Sequence, residues 1–392
     1  MHIASVGRAF PSNYVDQDTL IAAFRAAWAE RYHNLGRIEQ LHRNVLVGGR
    51  HLALPIEDYI GLDFTKANDA FVRVATDVGA EAVRDALARA GLTARDVDAI
   101  WFVSVTGLAA PSIDARLVNR LGFRSDIKRT PIFGLGCVAG AAGIARVADY
   151  LRGNPKDVAL LLSVELCSLT LQKEDLSIPN LIASGLFGDG AACVVMTGAE
   201  HASAAGPRES PENRGRIPVA EEEPPTKSGA SRGYPGSAEG FSAASGERQG
   251  PHVVASRSIF YPDTEDIMGW KIGASGFQIV LSSEVPEVVR KYLKDDTDRF
   301  LADHQLGYDD IAVWVAHPGG PKVLQTMEEV FPLPPNALER TWRSLREVGN
   351  LSSASVLMVL RETLETPQAP GTLGLMVAMG PGFCSELVLL RW

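Results

Sequence analysis

Residues 92–107, LTARDVDAIWFVSVTG, decide the fold class. A turn carrying Arg95, Asp96 and Asp98 feeds Ala99–Val105, a short and nearly unbroken apolar run that ends at the loop residue Gly107. A strand with one wet face would alternate; an almost continuous apolar run is what a strand covered by helices on both faces requires. Just upstream, Phe71, Val72, Ala75, Val78, Ala82, Val83 and Leu87 recur at three- and four-residue steps between Ala67 and Leu92, which predicts an amphipathic helix stopped by Gly91. Residues 157–165 (DVALLLSVE) and 191–197 (AACVVMT) read as two further buried strands, and 137–152 as a helix packed closely through its small residues. This half is layered α/β.

The same arrangement returns at 306–320, LGYDDIAVWVAHPGG, again a turn with acids feeding a buried strand that ends in a glycine loop. Such an echo is what a duplicated α/β unit leaves behind. Helices are expected over 321–331 and 353–365, with closing strands at 373–379 and 386–391. Between the halves, residues 200–252 are rich in Gly and Pro, with Ile217, Val219, Tyr234 and Phe241 as the large apolar groups. A segment so poor in apolar surface does not offset its ordering entropy, so a flexible surface insertion is expected. The division is therefore 1–199, an insertion over 200–252, and 253–392.

Composition narrows the function. With 392 residues, 46% hydrophobic and 22% charged, the chain is globular. Its net charge of −9 supplies no global basic field, so neither nucleic acid nor an anionic membrane is expected as a partner. Four cysteines, Cys137, Cys167, Cys193 and Cys384, lie far apart with no CxxC pair, and the opening MHIASVGRAFPSNY lacks the features of a signal peptide. A cytoplasmic protein is expected. No apolar run reaches the ~20 residues of a membrane span.

Three side chains carry chemical promise. Cys137 follows a glycine-rich turn and stands at a helix start, where unpaired N–H groups favour a thiolate. His317 closes a buried strand, at the sheet edge where open α/β folds place ligands. Asn350, in REVGNLSSAS, reads first as a helix cap. Cys193 and Cys384 read as structural. Together Cys, His and Asn supply an acyl-carrying sulfur, an imidazole partner and an amide donor, a set that also describes a papain-like protease.

The surrounding segments are specific. GLGCVAGAAG (134–143), GLFGDGAA (185–192), WVAHPGGPKVL (314–324), GNLSSAS (349–355) and MGPGF (379–383) resemble those of the type III polyketide synthases, the chalcone synthase superfamily, in order and spacing from about Ile60 to the C-terminus. That resemblance implies a thiolase-like fold: two duplicated αβαβαββ halves in a five-layer αβαβα arrangement. It also implies that Cys137 accepts the acyl group, that His317 and Asn350 are catalytic, and that Phe187 stands where the CoA tunnel meets the cavity.

The same resemblance implies a cavity lined by Cys167, Thr170, Gly269, Trp270, Ile279, Ser352 and the Gly380-Pro381-Gly382 turn, with Ala109 and Ala110 on the loop that meets a second subunit. Ala378-Met379 departs from the Gly-Phe of many members, which alters cavity shape. Where plant chalcone synthases have Thr, Cys167 resembles bacterial enzymes that make alkylpyrones from long acyl-CoA starters. The implied reaction loads a medium- or long-chain acyl-CoA on a Cys137 thiolate paired with His317, extends it with malonyl-CoA, and cyclises the product. Its partners are CoA thioesters in a homodimer; no metal or redox cofactor is expected. A single-condensation enzyme like ketoacyl-ACP synthase III and a non-catalytic protein of the same fold are the rivals.

Overall fold

A computed structural model describes residues 1–32, 34–201 and 250–392. The insertion expected over 200–252 lies outside the described residues except at its two ends. There Ile3 N–H donates to the Pro251 carbonyl at 3.0 Å, and His252 opens a strand.

The first half runs β1 (His2–Ala9), β2 (Asn13–Asp16), α1 (Gln17–Ala27), α2 (Leu35–Asn44), β3 (Gly49–Leu52), α3 (Phe64–Ala90), β4 (Ala99–Val103), α4 (Ile113–Leu121), β5 (Lys128–Ile132), α5 (Ala139–Gly153), β6 (Val158–Leu166), α6 (Ile178–Leu186) and β7 (Asp189–Thr197). The second runs β8 (His252–Phe260), β9 (Met268–Gly273), β10 (Gly276–Leu281), α7 (Val285–Val288), α8 (Lys294–Asp303), β11 (Ile311–Ala316), α9 (Pro321–Val330), α10 (Glu339–Val348), α11 (Ser355–Leu364), β12 (Leu373–Gly380) and β13 (Cys384–Arg391).

Strand order makes the duplication explicit. The first half-sheet is β5-β4-β6-β7-β1 and the second is β11-β12-β13-β8. β4 and β6 are parallel, as are β11 and β12; β7 and β13 then turn back antiparallel, and β1 and β8 close each half. The two half-sheets meet at one residue pair, His2 with His252.

Both faces of each half-sheet are covered, as the unbroken apolar runs require. In β4, Ala99, Trp101 and Val103 face a core shared with α5 and α11, while Ile100 and Phe102 face α3 and α4. In β11, Val313 and Val315 face that same shared core, while Trp314 and Ala316 pack under α7 to α10. The layers are thus helix, half-sheet, the α5/α11 pair, half-sheet, helix, which is the five-layer thiolase arrangement. The predicted helix over 67–92 is α3, capped at its start by the Asp63 carboxylate on Lys66 N–H (2.8 Å) and ended by Gly91 at φ 66°.

Candidate active site

Two helix starts converge at Cys137. Cys137 sits on the tight turn Gly136–Val138 that runs into α5, and Asn350 to Ser353 lead into α11. The two approach so closely that a Cβ on Gly140 would lie 2.3 Å from the Ser353 carbonyl oxygen; only glycine allows that contact. Cys137 is 6% exposed and its thiol donates to Ser352 Oγ at 3.6 Å. Ser352 holds φ 48°, a left-handed conformation kept by its N–H bond to Asn350 Oδ1 at 2.8 Å. The Asn350 oxygen therefore serves the local turn, much as a cap would. Its amide nitrogen is turned the other way, donating to the Gly319 carbonyl at 3.3 Å.

Gly319 belongs to the loop that follows β11, two residues beyond His317. The His317 main-chain N–H bonds the Val377 carbonyl at 2.9 Å, while neither ring nitrogen, both buried, has a hydrogen-bond partner among the described residues. The loop closes over the ring: a Cβ on Gly319 would stand 3.5 Å from His317 Cδ2. Cys137, Ser352, Asn350, Gly319 and His317 thus form one chain of neighbours. Pro381 abuts the cysteine turn, where a Cβ on Gly136 would lie 2.6 Å from its ring, and a Cβ on Gly269 would lie 3.9 Å from it.

The electrostatics bear on one expectation. A thiolate stabilised by a His317 cation was expected at Cys137. Instead burial pushes the Cys137 thiol up to about 12, opposed by the Ser352 hydrogen bond and reinforced by the negative charge of Glu165. Burial likewise pulls His317 down to about 3. Burial thus disfavours the charged form of both side chains. Glu165 is itself buried, raised to about 7, with Ser353, Val105 N–H, Thr106 and Ser104 donating to its oxygens. Cys193 is sealed in β7; Cys384 is half-buried, its thiol 3.2 Å from the Pro381 carbonyl.

Phe187 ties the reactive groups to a cavity. It ends α6 and pairs with Asn350 as an isolated bridge: Asn350 N–H donates to Leu186 at 2.9 Å, and Gly188 N–H to Asn350 at 3.0 Å. A cavity of about 650 Å³ is lined by Phe187, Cys167, Thr170, Trp270 and Ile279 among others. Five expected site residues therefore share one wall. Ser352 stands beside the thiol instead, Gly380, Pro381 and Gly382 form the turn against the Cys137 segment, and Gly269, in β9, lies beside Pro381; none of these, nor Cys137, His317 or Asn350, lines this cavity. Ala110 is exposed, also away from it.

Two features escaped the sequence reading. Arg50 is fully buried and pins the end of α6 by donating to the Ser184 and Phe187 carbonyls (both 3.0 Å); Asp189, under Ala53 and Ser168, is its buried counter-charge. Its signal was weak, a single Arg in GGRHLAL. The second is α1, whose apolar face forms much of the cavity wall; its Leu20, Phe24 and Trp28 at four-residue steps were the available sign.

Comparison with known proteins agrees with this geometry. Family models for the N-terminal and C-terminal domains of chalcone and stilbene synthases match residues 1–200 and 252–392. A 1,3,6,8-tetrahydroxynaphthalene synthase of Streptomyces peucetius subsp. caesius is 47% identical, over 100% of this chain and 93% of its own. A putative chalcone synthase of Bacillus subtilis (strain 168) is 33% identical over 100% and 98%. The crystal structure of tetrahydroxynaphthalene synthase from Streptomyces coelicolor A3(2), described as a bacterial type III polyketide synthase, superimposes with a TM-score of 0.83 at 28% identity, covering 100% of this chain and 99% of that one. The chain belongs to the chalcone and stilbene synthase family. Within it, the protein is a type III polyketide synthase, an acyltransferase of the thiolase fold.

Proposed function

We propose that this synthase loads a medium- or long-chain acyl-CoA on Cys137, extends it repeatedly with malonyl-CoA and cyclises the chain to an alkylpyrone or phenolic ring. The observation that carries this reading is the cavity. At about 650 Å³ it lies well within the range of small-molecule sites, and its wall is largely apolar. Each methylene buried there contributes about 0.8 kcal/mol.

The chemistry follows from a neutral pair. His317 takes the Cys137 proton as the sulfur attacks the starter thioester; the carbon–sulfur bond to CoA breaks, the Cys137 thioester forms, and the proton passes to the departing CoA thiolate. Malonyl-CoA then places its thioester carbonyl before the His317 ring N–H and the Asn350 amide. Loss of CO2 leaves its electron pair as an enolate held by those two donors. A buried neutral imidazole with no protein partner suits this role, since its N–H has no competing acceptor. The enolate carbon attacks the Cys137 thioester, releasing the sulfur as a thiolate; that thiolate takes the lengthened chain back from CoA, which departs as its thiol with a proton from solvent, and the next cycle begins. Thioester exchange and decarboxylation drive every step, so the scheme uses neither a metal nor a redox cofactor.

A second reading has its own support: the relative at 47% identity is named for tetrahydroxynaphthalene, which would make malonyl-CoA the starter as well. Incubation without carrier protein separates the two. With dodecanoyl-CoA and radiolabelled malonyl-CoA, labelled triketide or tetraketide products bearing the alkyl chain are expected. Products from malonyl-CoA alone, unchanged by dodecanoyl-CoA, would establish the second reading. A requirement for carrier protein would overturn both.

The working form proposed is a cytoplasmic homodimer. β5 is the open edge of its half-sheet, followed by Phe133 at 52% exposure, next to the loop bearing Leu108 at 41% and the exposed Ala110. Such an edge with apolar neighbours calls for a partner strand. Among the described residues no helix is long and apolar enough to cross a membrane.

A further inference from the structure

The last carbonyls of a helix find no partner within it, and at the end of α6 other segments take them up. Arg50 Nη1 donates to the Ser184 and Phe187 carbonyls, both at 3.0 Å, and the Gln17 side chain donates to the Gly185 carbonyl at 3.2 Å. The Leu186 carbonyl accepts the main-chain N–H of Asn350 at 2.9 Å, and Gly188 N–H donates to the Asn350 carbonyl at 3.0 Å. Asn350 is thus bonded through both its main-chain groups to the stretch that Arg50 holds. The segments meet at Gly188. A Cβ there would lie 2.5 Å from the Val348 carbonyl oxygen and 3.1 Å from Arg50 Cβ, an approach that glycine alone permits.

Arg50 is itself fixed. It is buried, its Nη2 donates to Gln17 Oε1, and the buried Asp189 carboxylate is its counter-charge. Asp189 accepts in turn from Ala53 N–H at 2.6 Å and from Ser168 N–H at 2.8 Å. Taking a guanidinium out of water is costly, and apolar side chains of similar volume often replace a buried ion pair without loss of stability. What Arg50 supplies that they would not is a rigid fork of N–H groups for helix-end carbonyls, with positive charge at the negative end of the helix dipole.

The Asn350 side chain has little freedom of its own. Its Oδ1 accepts from Ser352 N–H at 2.8 Å, so the direction of its amide nitrogen follows from where the main chain sits. We propose that Arg50 is a positioning residue for the Asn350 amide: by holding the Ser184 and Phe187 carbonyls it fixes the end of α6 to which the Asn350 main chain is bonded. Arg50 acts through Asn350 and not on the substrate. The inference rests on the enolate-holding role proposed for Asn350 and deepens it.

The test is a double-mutant cycle on carbon dioxide release from malonyl-CoA. Arg50→Lys keeps a cation beside Asp189 but loses the planar fork. It is expected to lower kcat about ten- to a hundredfold at unchanged KM, the scale of loss that a misplaced group brings. In Asn350→Ala protein, whose donor is already gone, Arg50→Lys should change nothing further. Alkylation of Cys137 by iodoacetamide, which does not use that amide, should keep the wild-type rate in Arg50→Lys. Gln17→Met, which removes the Arg50 Nη2 acceptor and alters neither charge, goes through the same cycle where Arg50→Lys does not fold; a smaller drop is expected, again absent beside Asn350→Ala. An equal loss with and without Asn350, a matching fall in Cys137 alkylation, or no loss at all would overturn the positioning role alone. Asn350→Ala protein that releases carbon dioxide at the wild-type rate would overturn the donor role of Asn350 and the positioning role with it.

Discussion

Among the described residues neither buried ring nitrogen of His317 has a hydrogen-bond partner, and an unsatisfied buried polar group costs about 1–3 kcal/mol. The cost is reasonable where an incoming carbonyl is to be bound. It also fixes the resting state. With the Cys137 thiol pushed up to about 12, thiolate is scarce at neutral pH and increases tenfold for each pH unit below that value. Alkylation of Cys137 in the free protein, followed by peptide mass spectrometry, should therefore rise steadily from pH 7 to 10; a plateau below pH 8 would show an ion pair with His317 after all. Asn350→Ala removes one enolate donor and should lower malonyl-CoA decarboxylation by about 10²–10³ with little change in KM. Loss confined to KM would make Asn350 a binding group. The positions of these three residues were legible because their flanking motifs are specific. Their burial was not, since the distant segments that cover them leave no mark on the local sequence.

The site depends on how two helices begin. α5 and α11 occupy equivalent places in the duplicated halves, and their starts deliver Cys137 and Asn350 to one point. Gly140 is the contact that permits it. Gly140→Val should disrupt that approach at about 1–3 kcal/mol, seen as a lowered Tm with product formation falling further than stability alone explains. Wild-type activity in that variant would mean the helix starts have more latitude than the 2.3 Å approach allows. At this scale the buried strands β4, β6, β7 and β11 and the helix α3 were readable, because each is a long apolar run or a strong helical period. β8 was harder: Val253 is its one buried residue, and it follows directly on the Gly- and Pro-rich segment. α1 was missed for a different reason, as its apolar face is divided between a small cluster with Ile38 and Leu181 and the cavity wall.

For the whole molecule, the repeat glimpsed in residues 92–107 and 306–320 proved to be the plan of the architecture, with matching strand orders on either side of the His2–His252 pair. One echo of fifteen residues revealed the duplication, but not that the halves share a helix layer, which depends on contacts between segments more than 200 residues apart. Among the described residues β5 ends its sheet, and the proposed dimer would pair it. Sedimentation of the wild-type protein should give a dimer, and Phe133→Asp should shift it toward monomer; a wild-type monomer at micromolar concentration would remove the proposed interface.

The central proposal is that the Cys137 sulfur carries the growing chain. Brief exposure of the purified protein to dodecanoyl-CoA or to malonyl-CoA, quenching, and peptide mass spectrometry test it directly. The prediction is a hydroxylamine-labile acyl thioester on the peptide containing Cys137, absent in Cys137→Ala. An acyl group found on Cys167 or Cys384 instead, or product formation by Cys137→Ala, would contradict it.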